Sequence, residues 1–161
     1  MGQYHFTCNL DKREFLDPFK LGSSLKLKEQ IWNTPGTPVA LYLLTAASNG
    51  RGGGDVNPEM NYDDIHNPNG VVGRWAGDRI ATIGDYYELQ NEHGRTDADR
   101  LKVNEKEFLA LWDHEYEDIS DIVRECMNHC GLGGSITFEP YEPSGTQGHY
   151  VFKQSHLHYK S

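Results

Sequence analysis

The sequence is short of cysteine, of positive charge and of long apolar runs, and each shortage excludes a class of protein. Cys8, Cys126 and Cys130 are the only cysteines in 161 residues. An odd set of three thiols does not make a self-contained disulfide framework, and a chain of this length buries a core without one. The longest apolar run, residues 39–44, falls far short of the roughly 20 residues that cross a bilayer. The opening Met1-Gly2-Gln3-Tyr4-His5 lacks the apolar stretch of a secretory signal, and Phe6 stands where the myristoylation pattern needs Ser or Thr. No membrane partner and a reducing, cytoplasmic setting are therefore expected.

Positive charge is scarce: 15 Lys and Arg face 24 Asp and Glu, a net charge of -9. The imbalance is uneven. Residues 1–54 hold six basic and four acidic side chains, and residues 55–161 hold nine against 20. Direct nucleic-acid binding, which neutralises phosphates, is not expected of such a chain. Two partner classes remain: a small anionic molecule held in a local basic pocket, or a basic protein drawn to the acidic surface.

What the chain has instead is glycine and aromatics: 17 Gly, nine Tyr, six Phe and three Trp. The segment 3–8 reads as a strand, with Tyr4, Phe6 and Cys8 on one face. Ser23 and Ser24 are good caps for a short helix carrying Leu25, Leu27, Ile31 and Trp32. Thr37-Pro38 restarts a second helix, and its nearly continuous apolar residues 39–47 make it the buried one. Residues 71–75 and 79–83 read as a hairpin joined at Ala76-Gly77-Asp78. A helix is expected over 105–112, and another opens at Asp118 or Ser120. Its apolar stripe is Ile122, Val123, Cys126, Met127 and Cys130, and Gly131 ends it. A last hairpin is expected over 135–141 and 149–153, and a flexible tail from about 155. Strands at the start, centre and end with helices between predict one α+β domain, a mostly antiparallel sheet with three to four helices packed on it.

Several phrases carry a resemblance. They are Met1-Gly2-Gln3-Tyr4, Asn9-Leu10-Asp11-Lys12-Arg13-Glu14-Phe15, Arg51-Gly52-Gly53-Gly54-Asp55, Gly73-Arg74-Trp75-Ala76-Gly77-Asp78-Arg79-Ile80, Gly84-Asp85-Tyr86 and Asp118-Ile119-Ser120-Asp121. Over about residues 1–130 the chain resembles a family of small uncharacterised proteins from bacterial and bacteriophage genomes. The resemblance implies an intracellular protein, in the host cytoplasm if phage-encoded, with an accessory or counter-defence role. It implies no activity and no catalytic residue.

Chemistry concentrates in the two glycine-rich loops. Arg51, Gly52, Gly53, Gly54 and Asp55 lack the Gly-Lys-Ser/Thr of a P-loop, yet three glycines can turn backbone N–H groups toward an anion, with Arg51 adding a two-pronged contact. The same glycines also serve as a helix C-cap with Arg51 paired to Asp55. Arg74, Trp75, Asp78, Arg79, Asp85 and Tyr86 supply charge and stacking surface in the second loop; alternatively its arginines pair with Asp78, Asp85 or Glu88. The leading expectation is a non-enzymatic protein that binds a small anion, such as a nucleotide or nucleotide-derived signal, without a cofactor. One alternative is a phosphoesterase holding Mg or Mn through Asp55, Asp78, Asp85 and the Asp63, Asp64 and His66 group. The other is an acidic inhibitor that acts by docking to a protein.

Overall fold

The structure is a computed structural model that describes residues 3–32, 36–47, 67–85, 104, 106–107, 110 and 115–132. Four strands form one sheet: β1 (His5–Asn9), β2 (Glu14–Leu16), β3 (Ile80–Gly84) and β4 (Glu117–Asp118), in the order β3-β1-β2-β4. β1 runs antiparallel to both β2 and β3, and the two-residue β4 lies parallel to β2. With this sheet, α1 (Leu27–Trp32), α2 (Gly36–Thr45) and α3 (Ser120–His129) make an α+β domain. The expected fold class holds.

As the central strand, β1 is covered on both faces: Phe6, Thr7, Cys8 and Asn9 are all buried. Phe6 meets Phe15 of β2 edge to face, with ring centroids 6.1 Å apart. The tight β1–β2 turn is organised by Asn9, whose Oδ1 accepts from the N–H groups of Asp11 and Lys12 at 2.9 and 2.8 Å. The main core lies between this sheet and the helices. It comprises Leu16, Leu21, Ala40, Leu43, Leu44, Val71, Val72, Trp75, Ile119, Val123, Cys126 and Met127. Of the α3 stripe read from the sequence, Val123, Cys126 and Met127 are buried and Ile122 and Cys130 half-buried against the core, and Gly131, at φ +70°, ends the helix as expected.

Two expectations are corrected. Residues 71–75 are not a strand, so no hairpin joins them to β3. Their N–H groups have a different employer: Gly73 and Trp75 donate to the carbonyls of Leu43 and Leu44 at 2.9 and 2.8 Å. A helix leaves its last carbonyls without partners, and this segment of turns supplies the donors for α2. The second correction concerns α2, which is not buried all round. Ala40, Leu43 and Leu44 face the core, while Tyr42 is 83% exposed. The expected 105–112 helix lies mostly outside the described residues; at its start, Asn104 and Glu107 cap each other reciprocally. The final hairpin and the tail lie wholly outside them.

Gly73 is a position where the fold depends on a missing side chain. Its φ is +83°, and a Cβ there would stand 3.0 Å from the Ala46 carbonyl oxygen. Gly77 has a matching φ of +82° but open space around it. Gly73→Ala is therefore expected to cost about 2–3 kcal/mol in urea unfolding, against about 1 kcal/mol for Gly77→Ala, where only backbone strain acts. Equal losses would show that the contact with Ala46 is unimportant.

Candidate functional site

The second glycine-rich loop folds back onto the β1–β2 hairpin, and this placement decides what its charged side chains meet. Arg74 and Trp75 do not project to opposite sides; both reach one carboxylate, Glu14. Arg74 Nε donates to both Glu14 oxygens at 3.1 Å, and its Nη2 donates to Oε2. Trp75, fully buried, donates its Nε1–H to Oε1 at 2.9 Å. Glu14 is itself 4% exposed. Burial opposes its ionisation, but the hydrogen bonds from Arg74 and Trp75 outweigh it and hold the carboxyl below the usual glutamate range.

Asp78 and Arg79 meet the same hairpin one turn away. Asp78 Oδ2 accepts from Asn9 Nδ2 at 2.9 Å and pairs with Lys12. Arg79 donates its backbone N–H and Nε to the two oxygens of Asp11, at 2.7 and 2.8 Å, and its Nη2 to Glu107 at 3.0 Å. Asp85, 4% exposed, accepts from the N–H of Tyr4 at 2.8 Å and donates its own N–H to the Tyr4 carbonyl at 2.8 Å, which ties the sheet edge together.

Arg74, Trp75, Asp78 and Arg79 are thus brought to the β1–β2 hairpin, whereas Asp85 lies at the opposite end of β1 beside Tyr4, and each is engaged by a protein group. The acceptors of Arg74 and Arg79 are Glu14, Asp11 and Glu107, not the acids close by in sequence. Arg51, Gly52, Gly53, Gly54, Asp55 and Tyr86 lie outside the described residues, as do Asp63, Asp64 and His66. Among the described residues, no three His, Cys, Asp or Glu side chains are grouped to hold a metal ion. The thiols belong to the core: burial pushes Cys126 up to about 12 and raises Cys8 as well, so both are protonated near neutrality.

A second feature was missed in the sequence. Trp32 is 76% exposed, Ile31 62%, Leu27 41% and Tyr42 83%. These residues belong to the consecutive helices α1 and α2. Beside Tyr42 opens a groove of about 360 Å³ lined by Pro38, Val39, Tyr42, Leu43, Ala46 and Leu132, without a charged side chain. α1 buries Gln30 rather than its large apolar residues: Gln30 Nε2 donates to the carbonyls of His5 and Leu25 at 2.8 and 2.9 Å. Leu27 and Ile31 stand four apart, the ordinary spacing of a buried helical face, so the sequence carries no local signal that this side is exposed. Among the described residues, no helix is long and apolar enough to cross a membrane. Compared with protein-family models, curated proteins and solved structures, the chain matches none.

Proposed function

We propose that the protein is a non-enzymatic binding module that docks a partner protein on the outward side of α1 and α2. The observation that supports this reading is the exposure of Trp32 and Tyr42, at 76% and 83%, with an all-apolar groove beside the latter. Large aromatics left in water forgo about 2–3 kcal/mol each of burial, and Trp and Tyr are the residues that most often anchor protein interfaces. A small anion needs cations with free donors. Arg74 and Arg79 commit theirs to Glu14, Asp11 and Glu107, which leaves the anion reading to rest on Arg51 to Asp55 and Tyr86.

The test is selection of short peptides from a displayed library against the purified protein. Peptides are expected to be enriched, and their binding to fall about tenfold or more in Tyr42→Glu with the thermal midpoint kept. A nucleotide panel at millimolar concentration should leave that midpoint unchanged. Failure to enrich any peptide, with a nucleotide-induced rise that Arg51→Ala removes, would overturn the docking reading in favour of the small anion.

A further inference from the structure

We infer that the exposed side of α1 receives an acidic amphipathic segment of a partner protein, with Trp32, Ile31 and Leu27 taking its apolar side chains and Lys26 and Lys28 its carboxylates. The inference rests on the docking reading and adds the chemistry of the partner.

Three observations carry it. First, α1 is inverted: its polar Gln30 is buried and its large apolar side chains are exposed. The two bonds from Gln30 to the His5 and Leu25 carbonyls fix the helix against the start of β1, so the apolar side chains are held outward on a rigid base. Preorganised anchors of this kind lose little entropy on binding. Second, the cations beside this face are free. Every described arginine, and Lys12 and Lys20, pairs with a carboxylate. Lys26 and Lys28 are exposed and have no carboxylate partner among the described residues. Glu29, the acid on α1, accepts a hydrogen bond from Ser24 Oγ. The local charge is positive on a chain whose net charge is -9. Third, the competing occupants fit less well. An anionic membrane would repel a chain so acidic, and two lysines supply only about 2 kcal/mol of attraction to it. Two copies of the chain carry like charge and repel as they approach.

The experiment reads the composition of peptides enriched on the wild-type protein. They should carry Asp and Glu in excess over Lys and Arg, interleaved with Leu, Phe or Trp. One of them, fluorescently labelled, should bind Trp32→Ser and the double variant Lys26→Glu, Lys28→Glu at least about tenfold more weakly. Both substitutions are at exposed positions, and an unchanged thermal midpoint confirms that the fold is kept. Enriched peptides that are neutral or basic, or that ignore both variants but respond to Tyr42→Glu, would overturn the acidic-segment assignment and leave the docking reading standing. A dimer in sedimentation that Trp32→Ser dissociates would assign the face to a second copy. Co-sedimentation with phosphatidylserine vesicles that is lost in Trp32→Ser would assign it to a lipid surface. Either result overturns the inference.

Discussion

Glu14→Ala is expected to lower the unfolding free energy by about 3–5 kcal/mol at pH 7, the cost typical of breaking a buried pair from one side. Glu14 is 4% exposed and accepts from both Arg74 and Trp75. Its removal strands the indole N–H of a fully buried Trp75 and leaves the Arg74 guanidinium without its counter-charge. Arg74 is partly exposed, with 32% of its side chain accessible, so water recovers part of its solvation and the indole carries much of the loss. Arg74→Ala should therefore also destabilise, because it leaves a buried carboxylate, and the double variant should cost less than the two singles combined. The pH dependence supplies a second check. The folded-state pKa of Glu14 lies below its unfolded value. The stabilisation it gives is thus present above the ordinary glutamate pKa and is lost as pH falls through the lower, folded value. The difference between wild type and Glu14→Ala in denaturant titrations should shrink accordingly in acid. A loss below about 1 kcal/mol, the range of an exposed ion pair, would show that the Glu14 cluster is not part of the core.

That cluster also shows how far the sequence could be read. The α+β class, the apolar stripe of α3 and its end at Gly131 follow from periodicity and punctuation, both local properties. The second glycine-rich loop was recognisable as a place where backbone approaches something closely. What it approaches is the end of α2 and the β1–β2 hairpin, at separations of 60 and 61 residues for the bonds from Arg74 and Trp75 to Glu14. No local pattern encodes a pairing of that span, so acids near in sequence, Asp78 and Asp85, stood in for Glu14 and Asp11. The strand expected over 71–75 fails for the same reason. Its residues satisfy a β-propensity, but the free carbonyls at the end of α2 claim its donors. The exposed aromatics were invisible for the opposite cause: a helix with apolar residues reads as buried unless something shows which side the core lies on. Gln30 marks that side on α1, and only its contacts with His5 and Leu25 reveal it.

Asp17→Asn is expected to gain on the wild type as pH rises, by about 2–3 kcal/mol between pH 4 and pH 7.5. Asp17 directly follows β2, caps the short 3-10 helix Pro18–Leu21 beside the start of α3, and is 1% exposed. Its Oδ1 accepts from the N–H of Phe19 at 3.0 Å, its backbone N–H donates to Ser120 Oγ at 2.7 Å, and its Oδ2 is buried without a hydrogen-bond partner. Burial first, and the charge of Asp118 second, push its pKa from 3.8 up to about 6, against the pull of the Phe19 N–H and of Lys20. Lys20 is already paired with Asp118 at 2.7 Å, which limits what it gives to Asp17. Well below pH 3.8 the carboxyl is protonated in both the folded and unfolded chains and its charge costs nothing. Between the two pKa values the folded chain holds the extra proton, so folding is progressively penalised as pH rises through about 6. Asparagine keeps the Oδ1 acceptor for Phe19 and cannot ionise. Whatever constant offset the amide introduces, the difference between the two proteins must therefore climb across this window and level off above it. Guanidinium unfolding of both proteins at four or five pH values measures that climb. A difference that stays flat from pH 4 to 7.5 would mean that the Asp17 carboxyl is solvated or neutralised in the folded protein, and that the end of β2 holds no strained charge.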